Sequence, residues 1–272
     1  MRSRLAREFI FGPAVWLRNL IRPRPGYGLA YIDWSSQEYA IAAYLSGDPN
    51  MIAAYESGDV YLSLAKGVGA APPDATKESH QPVRELYKVV QLATQYGQGA
   101  KSLAATIGKS IAEAKALLYS QAQLYRTFWT WSEAALSYAL AFKKLHSVFG
   151  WQIQLPKRSH CNVRSLRNFP MQANGSEMLR LACCIATERG IRVCAPIHDA
   201  ILIESPIETL ESDVEKARQA MNEASAAVLG GAVVRTDAKL VYWPDHYTDP
   251  RGETMWNLIL EVLNLTDAPM AA

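Results

Sequence analysis

The stretch IRVCAPIHDAILIESP (191–206) sets two apolar, β-rich runs on either side of the polar pair His198-Asp199. That is the pattern of a hairpin whose turn carries the polar residues. GLAYID (28–33), preceded by the turn-forming PRPGYG (23–28), reads as a short buried strand that ends on Asp33. VVRTDAKLVYW (233–243) reads as a final strand and GWQIQLP (150–156) as another. These strands come from segments far apart in the chain, and what separates them reads as helix. The expectation is an α+β fold with a small antiparallel sheet and a mainly helical insertion.

The helical reading rests on periodicity and on stop signals. The pattern turns helical from Ser36 to Leu45, SGDPN (46–50) breaks it, and a second SGD (57–59) opens DVYLSLAKGVG (59–69). APPDATKES (71–79) is a loop with Asp74 or Thr76 as a cap, and Pro82 then stands in the first turn of a helix running to about Tyr96. Residues 102–145 read as two long helices. NGSEMLRLACCIATERG (174–190) reads as a helix ending at Gly190, and ETLESDVEKARQAMNEASAAVLG (208–230) as an amphipathic one with its acids toward the start.

Composition narrows the class. The 272 residues are 49% hydrophobic and 20% charged, with a mean hydropathy of -0.08, which excludes a mostly disordered chain. No run approaches the roughly 18 apolar residues of a spanning helix. The basic, then apolar start is broken by Gly12, Pro13 and Arg18 with no small-residue cleavage site after it, so no secretory signal is read and a cytoplasmic protein without membrane attachment is expected. Net charge is only +2, but the basic residues are grouped. Arg2, Arg4, Arg7, Arg18, Arg22 and Arg24 stand against Glu8 alone, and Lys157, Arg158, His160, Arg164 and Arg167 have no acid among them. Such patches suit a phosphate backbone. Cys161, Cys183, Cys184 and Cys194 lack metal-ligand spacing and are expected to be free, mostly buried thiols.

Three constellations can carry chemistry. Asp33 and Asp199 each end or interrupt a strongly apolar run, and neither has a Lys or Arg beside it in the chain. A carboxylate buried without a partner costs several kcal/mol, and a hard divalent cation such as Mg²⁺ is the natural partner. Arg84, Lys88, Leu92 and Tyr96 recur every four residues and so share one side of a helix. Two cations a turn apart followed by an aromatic suit a triphosphate and then a sugar or base. Arg164, Asn168 and Gln172 are also spaced by four, although Pro170 argues against one continuous helix there. Asn and Gln can donate to minor-groove acceptors, which every base pair presents. Taken singly, each group is as readily a turn former or a solvated surface.

Their order along the chain is more specific than any one of them. DWSSQE (33–38), RELYKVVQLATQYG (84–97) and HDA (198–200) resemble the three motifs of the family A, DNA polymerase I-like DNA polymerases, D-Y-S-Q-I-E, R-x3-K-x3-F/Y-x3-YG and H-D-E. NFPMQANGSEM (168–178) matches the N-x-P-x-Q segment that lies between the second and third. The resemblance covers about residues 15–248. It implies a palm made of 1–45 and 151–272, with 46–150 as fingers, and an activity of template-directed DNA synthesis on primer–template DNA with dNTPs. It further implies two Mg²⁺ ions held by Asp33, Asp199 and the carbonyl of Trp34. Arg84 and Lys88 would contact the nucleotide phosphates, with Lys88 protonating the leaving pyrophosphate. Tyr96 and Glu38 would pack beneath the deoxyribose, Leu92 would line the nucleotide site, and Arg164, Asn168, Gln172 and His198 would track the minor groove.

The departures from the pattern are Leu92 where Phe or Tyr is usual, Ala200 where the third motif ends in Glu, and Trp34 and Ser36 in the first motif. Only 32 residues precede Asp33, so a thumb, a 3′–5′ exonuclease domain and the family's upstream T-G-R region are expected to lie outside this chain. Poor duplex grip would follow because fewer phosphates are neutralised, and the missing thumb or exonuclease segment could be supplied in trans. The alternative reading is a catalytically weak or inactive polymerase remnant that binds primer–template. A metal-dependent nuclease or phosphatase ranks last, because it leaves the helix Arg84–Tyr96 without a purpose.

Overall fold

The computed structural model describes residues 14–156 and 162–263. In chain order, a 3₁₀ turn Val15–Leu20 leads into β1 (Tyr27–Trp34), followed by α1 (Gln37–Ser46), α2 (Pro49–Glu56), α3 (Val60–Gly67), α4 (Gln81–Gln95), α5 (Ala100–Ile107), α6 (Ile111–Leu124) and α7 (Arg126–Phe142). Short strands β2 (Lys144–His146) and β3 (Gln152–Gln154) precede α8 (Val163–Glu188), β4 (Val193–Ile197), β5 (Ala200–Pro206), α9 (Leu210–Val228), β6 (Thr236–Tyr242), a 3₁₀ turn Pro250–Gly252 and α10 (Glu253–Val262). The α+β class follows, with the four-stranded sheet ordered β4-β5-β1-β6. Every neighbour in that sheet is antiparallel.

Two compact units divide the chain. The first comprises 1–35, 178–227 and 233–272; the second comprises 36–177 and 228–232.

The first unit is built on the sheet. Side chains alternate across a strand, so Leu29, Tyr31 and Asp33 share one face of β1. Leu29 packs there with Ile197, Ala200, Leu202, Val241 and Tyr247, and Tyr31 lies against that group. On the other face Ala30, Ile32 and Trp34 are fully buried. A strand clothed on both faces loses the clean apolar–polar alternation, which is why GLAYID is apolar almost throughout. Gly190 ends α8 with φ +77. The N–H of Ile191 reaches back to Ala186 O at 3.0 Å and that of Gly190 to Thr187 O at 3.0 Å, a left-handed glycine cap that caps the helix carbonyls.

In the second unit, one buried acid organises two helix starts. Asp48 Oδ1 accepts from the N–H groups of Asn50 and Met51, both at 3.0 Å, capping α2 with Pro49 at its first position. Its Oδ2 accepts from the N–H of Phe128 at 3.0 Å, at the start of α7. The apolar faces of α4, α5 and α6 meet through Val90, Ala93, Leu103, Ala104 and Ala114. A second core joins Leu136, Ala139, Leu145, Leu166, Phe169 and Ala173.

Several expectations need correction. Residues 102–145 form three helical pieces rather than two, because Gly108 takes φ +65 and Ser110 starts a new helix through a capping box with Glu113, while the chain turns again at Tyr125. Pro170 does not interrupt its helix: α8 runs continuously through it. Pro170 supplies no N–H of its own, but its carbonyl accepts from Asn174 Nδ2 at 2.8 Å, and the packing of Leu166, Phe169 and Ala173 holds the flanking turns together. Neither Asp74 nor Thr76 caps α4, whose N-cap position is His80; Thr76 is engaged with Ser79 instead. The strand at 150–156 does not join the sheet but pairs with β2 in a separate ribbon. The thiols are not mostly buried: Cys184 and Cys194 are exposed and Cys183 is half-buried, and Cys161 lies outside the described residues. Cys194 is exposed because β4 is an edge strand carrying a bulge between Val193 and Ala195.

Replacing Asp48 by Ala leaves the N–H groups of Asn50, Met51 and Phe128 without their acceptor. The expected loss is about 2–4 kcal/mol, with Asn costing less than Ala because it keeps one acceptor oxygen. Urea denaturation of the two variants measures it.

Candidate active site

The carboxylates come together through strand pairing. β1 lies between β5 and β6, and its register sets Asp33 opposite Ala200 on one side and opposite Asp237 on the other. Ala200 follows Asp199 directly, and the N–H of Trp34 donates to Asp199 O at 3.1 Å. Ile197 pairs with Ala200, so His198 and Asp199 form a two-residue hairpin turn. His198 takes φ +54, a left-handed conformation that tight hairpins demand and that costs a non-glycine residue about 1 kcal/mol or more.

The electrostatics of this turn are unfavourable without a cation. Asp33 is half-buried, and burial, then Asp199, then Asp237 push its carboxyl up to about 6. Asp199 is also raised, chiefly by burial, against opposing help from its own backbone N–H and from His198. Tyr31, one row along the same face, is raised by burial, Tyr247 and the same two acids. Oxygen donors with adjacent like charges are the donor chemistry of a hard divalent cation such as Mg²⁺, so these residues fit that ion. Among the described residues no group of three or more His, Cys, Asp or Glu forms a ready-made metal cage.

In the second unit, α4 buries Tyr87, Val90, Gln91, Ala93 and Thr94 and turns Arg84, Lys88, Leu92 and Tyr96 to its other side. Tyr96 is the C-cap residue and is 50% exposed. Arg84 is not a loose cation. Its Nε donates to Asp59 Oδ2 at 2.5 Å and its Nη1 to Glu85 Oε1 at 2.8 Å, and its guanidinium lies 5.3 Å from the Tyr61 ring centroid. Asp59 meanwhile caps α3 through the N–H groups of Tyr61 and Leu62. Its carboxyl is held low by Arg84 and by these backbone hydrogen bonds, against the opposing effect of burial. Lys88 sits 3.8 Å from Glu85 and 6.0 Å from the same ring.

At the far end of α4, residues from three segments converge. Glu38 on α1 accepts from Gln95 Nε2 at 2.9 Å and from Gln172 Nε2 on α8. The aliphatic part of Arg164 packs over Gly97, where an added Cβ would come within 3.1 Å of its Cγ. Asn168 lies half-buried on the same helix. The basic patches are less free than their charge suggests. Arg18 pairs with Asp249, Arg24 with Glu204 and Arg167 with Glu133, while Arg2, Arg4, Arg7, Lys157, Arg158 and His160 lie outside the described residues. The sequence reading did not single out Asp59 or Asp237. Asp59 carried only the signal of a helix cap, and Asp237 becomes visible only through strand register.

The family model for DNA polymerase family A matches residues 12–239, and the chain belongs to that family. Among curated relatives, it is 26% identical over 221 residues to the thermostable DNA polymerase I of Thermus thermophilus, covering 76% of this chain and 26% of that protein. It is 28% identical over 210 residues to the DNA polymerase of Mycobacterium phage D29, covering 76% of this chain and 33% of that one. The chain thus spans about a quarter to a third of the relatives' lengths. Of the solved structures, the polymerase domain of Pol1 from M. smegmatis, in complex with DNA primer-template and dNTP, superposes with a TM-score of 0.72 at 21% identity. That alignment covers 88% of this chain and 42% of the other, a likeness of fold. No helix among the described residues is long and apolar enough to cross a membrane.

The raised Asp33 has a consequence for the metal-free protein. Its folded state takes up a proton near pH 6, whereas the unfolded chain does so only near 3.8, so from this group stability rises as pH falls across that window. Asp33→Asn is expected to raise the melting temperature at pH 8, by roughly 1 kcal/mol once screening at a half-buried group is allowed for. The advantage should shrink between pH 7 and 5. Thermal melts of both proteins in EDTA check the sign.

Proposed function

We propose that this chain is the palm-and-fingers portion of a DNA-directed DNA polymerase. It would perform template-directed nucleotidyl transfer on primer–template DNA, with residues 46–150 as fingers and the flanking stretches as palm. The observation that carries the reading is the strand register that sets Asp33 beside Asp199 at one end of the sheet, in a chain whose family match spans residues 12–239.

Each residue group has a task in this reading. Asp33, Asp199 and the carbonyl of Trp34 hold two Mg²⁺ ions. Bound there, Mg²⁺ supplies Lewis acidity that lowers the pKa of the primer 3′-hydroxyl and offsets charge on the triphosphate. Arg84 and Lys88 bind the phosphates, and Lys88 gives a proton to the leaving pyrophosphate. Tyr96, with Glu38 held in place by Gln95 and Gln172, closes the space a 2′-hydroxyl would need, and Leu92 presents an aliphatic surface to the nucleotide. Arg164, Asn168, Gln172 and His198 read minor-groove geometry without base preference. The primer–template and dNTP in the M. smegmatis structure are the ligand classes this reading assigns to the chain.

A second reading is favoured by one specific observation. Arg84 is already satisfied by Asp59 and Glu85, so a triphosphate must displace a carboxylate to reach it. A remnant that binds primer–template but incorporates nucleotide weakly would share these features.

Primer extension by the purified chain with Mg²⁺ and each dNTP decides between them. The expected result is incorporation that Asp33→Ala or Asp199→Ala lowers at least about 1,000-fold, with folding checked by circular dichroism. Arg84→Ala is expected to raise KM for dNTP about 10-fold or more. DNA binding without incorporation would support the remnant, and extension unchanged in either aspartate variant would sink the metal assignment. A ribonucleotide control tests Tyr96 and Glu38.

A further inference from the structure

We propose that Asp237 supplies the third carboxylate of the magnesium site, taking from β6 the place that Ala200 leaves empty on β5. The inference rests on the reading above, in which Asp33 and Asp199 hold the ions.

Directly opposed residues of an antiparallel pair project to the same face of the sheet. Asp33 is opposed by Ala200 and by Asp237, so Ala200, Asp33 and Asp237 form one row across three strands. A carboxylate at position 200 would flank Asp33 from β5 in the same relation that Asp237 has to it from β6. The third motif of this chain ends in Ala rather than Glu, and the acid is present on the other neighbour of the same strand.

The neighbours of Asp237 do not neutralise it. The next row on this face is Leu202, Tyr31 and Lys239. The Lys239 ammonium donates to Thr248 O at 2.6 Å and lies 5.3 Å from the Tyr247 ring centroid. Among the described residues, the polar partner of the Asp237 carboxylate is the Ser35 hydroxyl, which donates to Oδ2. The Ser35 N–H donates to Arg235 O at 2.8 Å, tying the ends of β1 and β6 together. One oxygen of Asp237 is thus oriented by a neutral donor and the other is left for a cation. Like charges placed directly opposite across a strand pair destabilise it, and a shared divalent cation turns that repulsion into coordination.

The test measures Mn²⁺, as a spectroscopic stand-in for Mg²⁺, bound to the full chain by electron paramagnetic resonance. Asp237→Ala is expected to weaken Mn²⁺ binding about 10-fold or more. Asp237→Asn is expected to do nearly the same, and the metal-free variants should melt no lower than the parent. Moving the acid back, as Asp237→Ala with Ala200→Glu, is expected to restore most of the affinity. Both Asp237 variants binding Mn²⁺ like the parent, while Asp33→Ala binds it poorly, overturns this assignment and leaves the two-aspartate site standing. Failure of Ala200→Glu to restore any affinity to Asp237→Ala also overturns it. An Asp33→Ala protein that binds Mn²⁺ normally overturns the metal site itself and this proposal with it.

Discussion

The pairing of β1 with β5 on one side and β6 on the other is the constraint on which the first unit depends. Its ladder aligns Asp33 with Ala200 and Asp237, and a slip of one residue would turn Asp33 to the opposite face and Ile32 toward solvent. Register is enforced by burial on both sides of the strand. Ala30, Ile32 and Trp34 fill one face, and Leu29 packs with Leu202 and Val241 on the other. The apolar core therefore aims the acids, and it pays the cost of setting half-buried like charges side by side.

The second unit solves a different problem, that of presenting cations and polar groups on one long helix face. α4 achieves this by burying Val90 and Ala93 against α5 and α6, which leaves Arg84 and Lys88 on the far side. An arginine so placed finds Asp59, itself committed as the cap of α3. One carboxylate thus joins a helix start to a cation of the second motif. The same economy recurs at Asp48, which serves α2 and α7 together, and at Glu38, which receives Gln95 and Gln172.

Membership of DNA polymerase family A rests on a match over residues 12–239, and the relatives are much longer than this chain. A palm and fingers without the remaining length can still order acids, cations and polar readers, because each group is built by local strand register or helix face. Grip on a duplex is a separate property, since it grows with the number of phosphates neutralised.

Much of this was legible in the amino-acid sequence. Strand runs bounded by Gly and Pro, helices opened by Asp48-Pro49 and Asp59, the stop at Gly190, and the order of the DWSSQE, RELYKVVQLATQYG and HDA motifs all follow from local propensity and spacing. Those local signals determined the α+β class, the family, and Asp33 with Asp199 as the acids that matter. Tertiary structure alone decided the passage of α8 through Pro170, where packing of Leu166, Phe169 and Ala173 outweighs the lost N–H. It alone exposed Cys194 by leaving β4 at the sheet edge, committed Arg84 to Asp59, and set Asp237 across from Asp33. Each of these depends on which distant segment lies alongside, a choice made by the burial of whole faces and not encoded in any one window of residues.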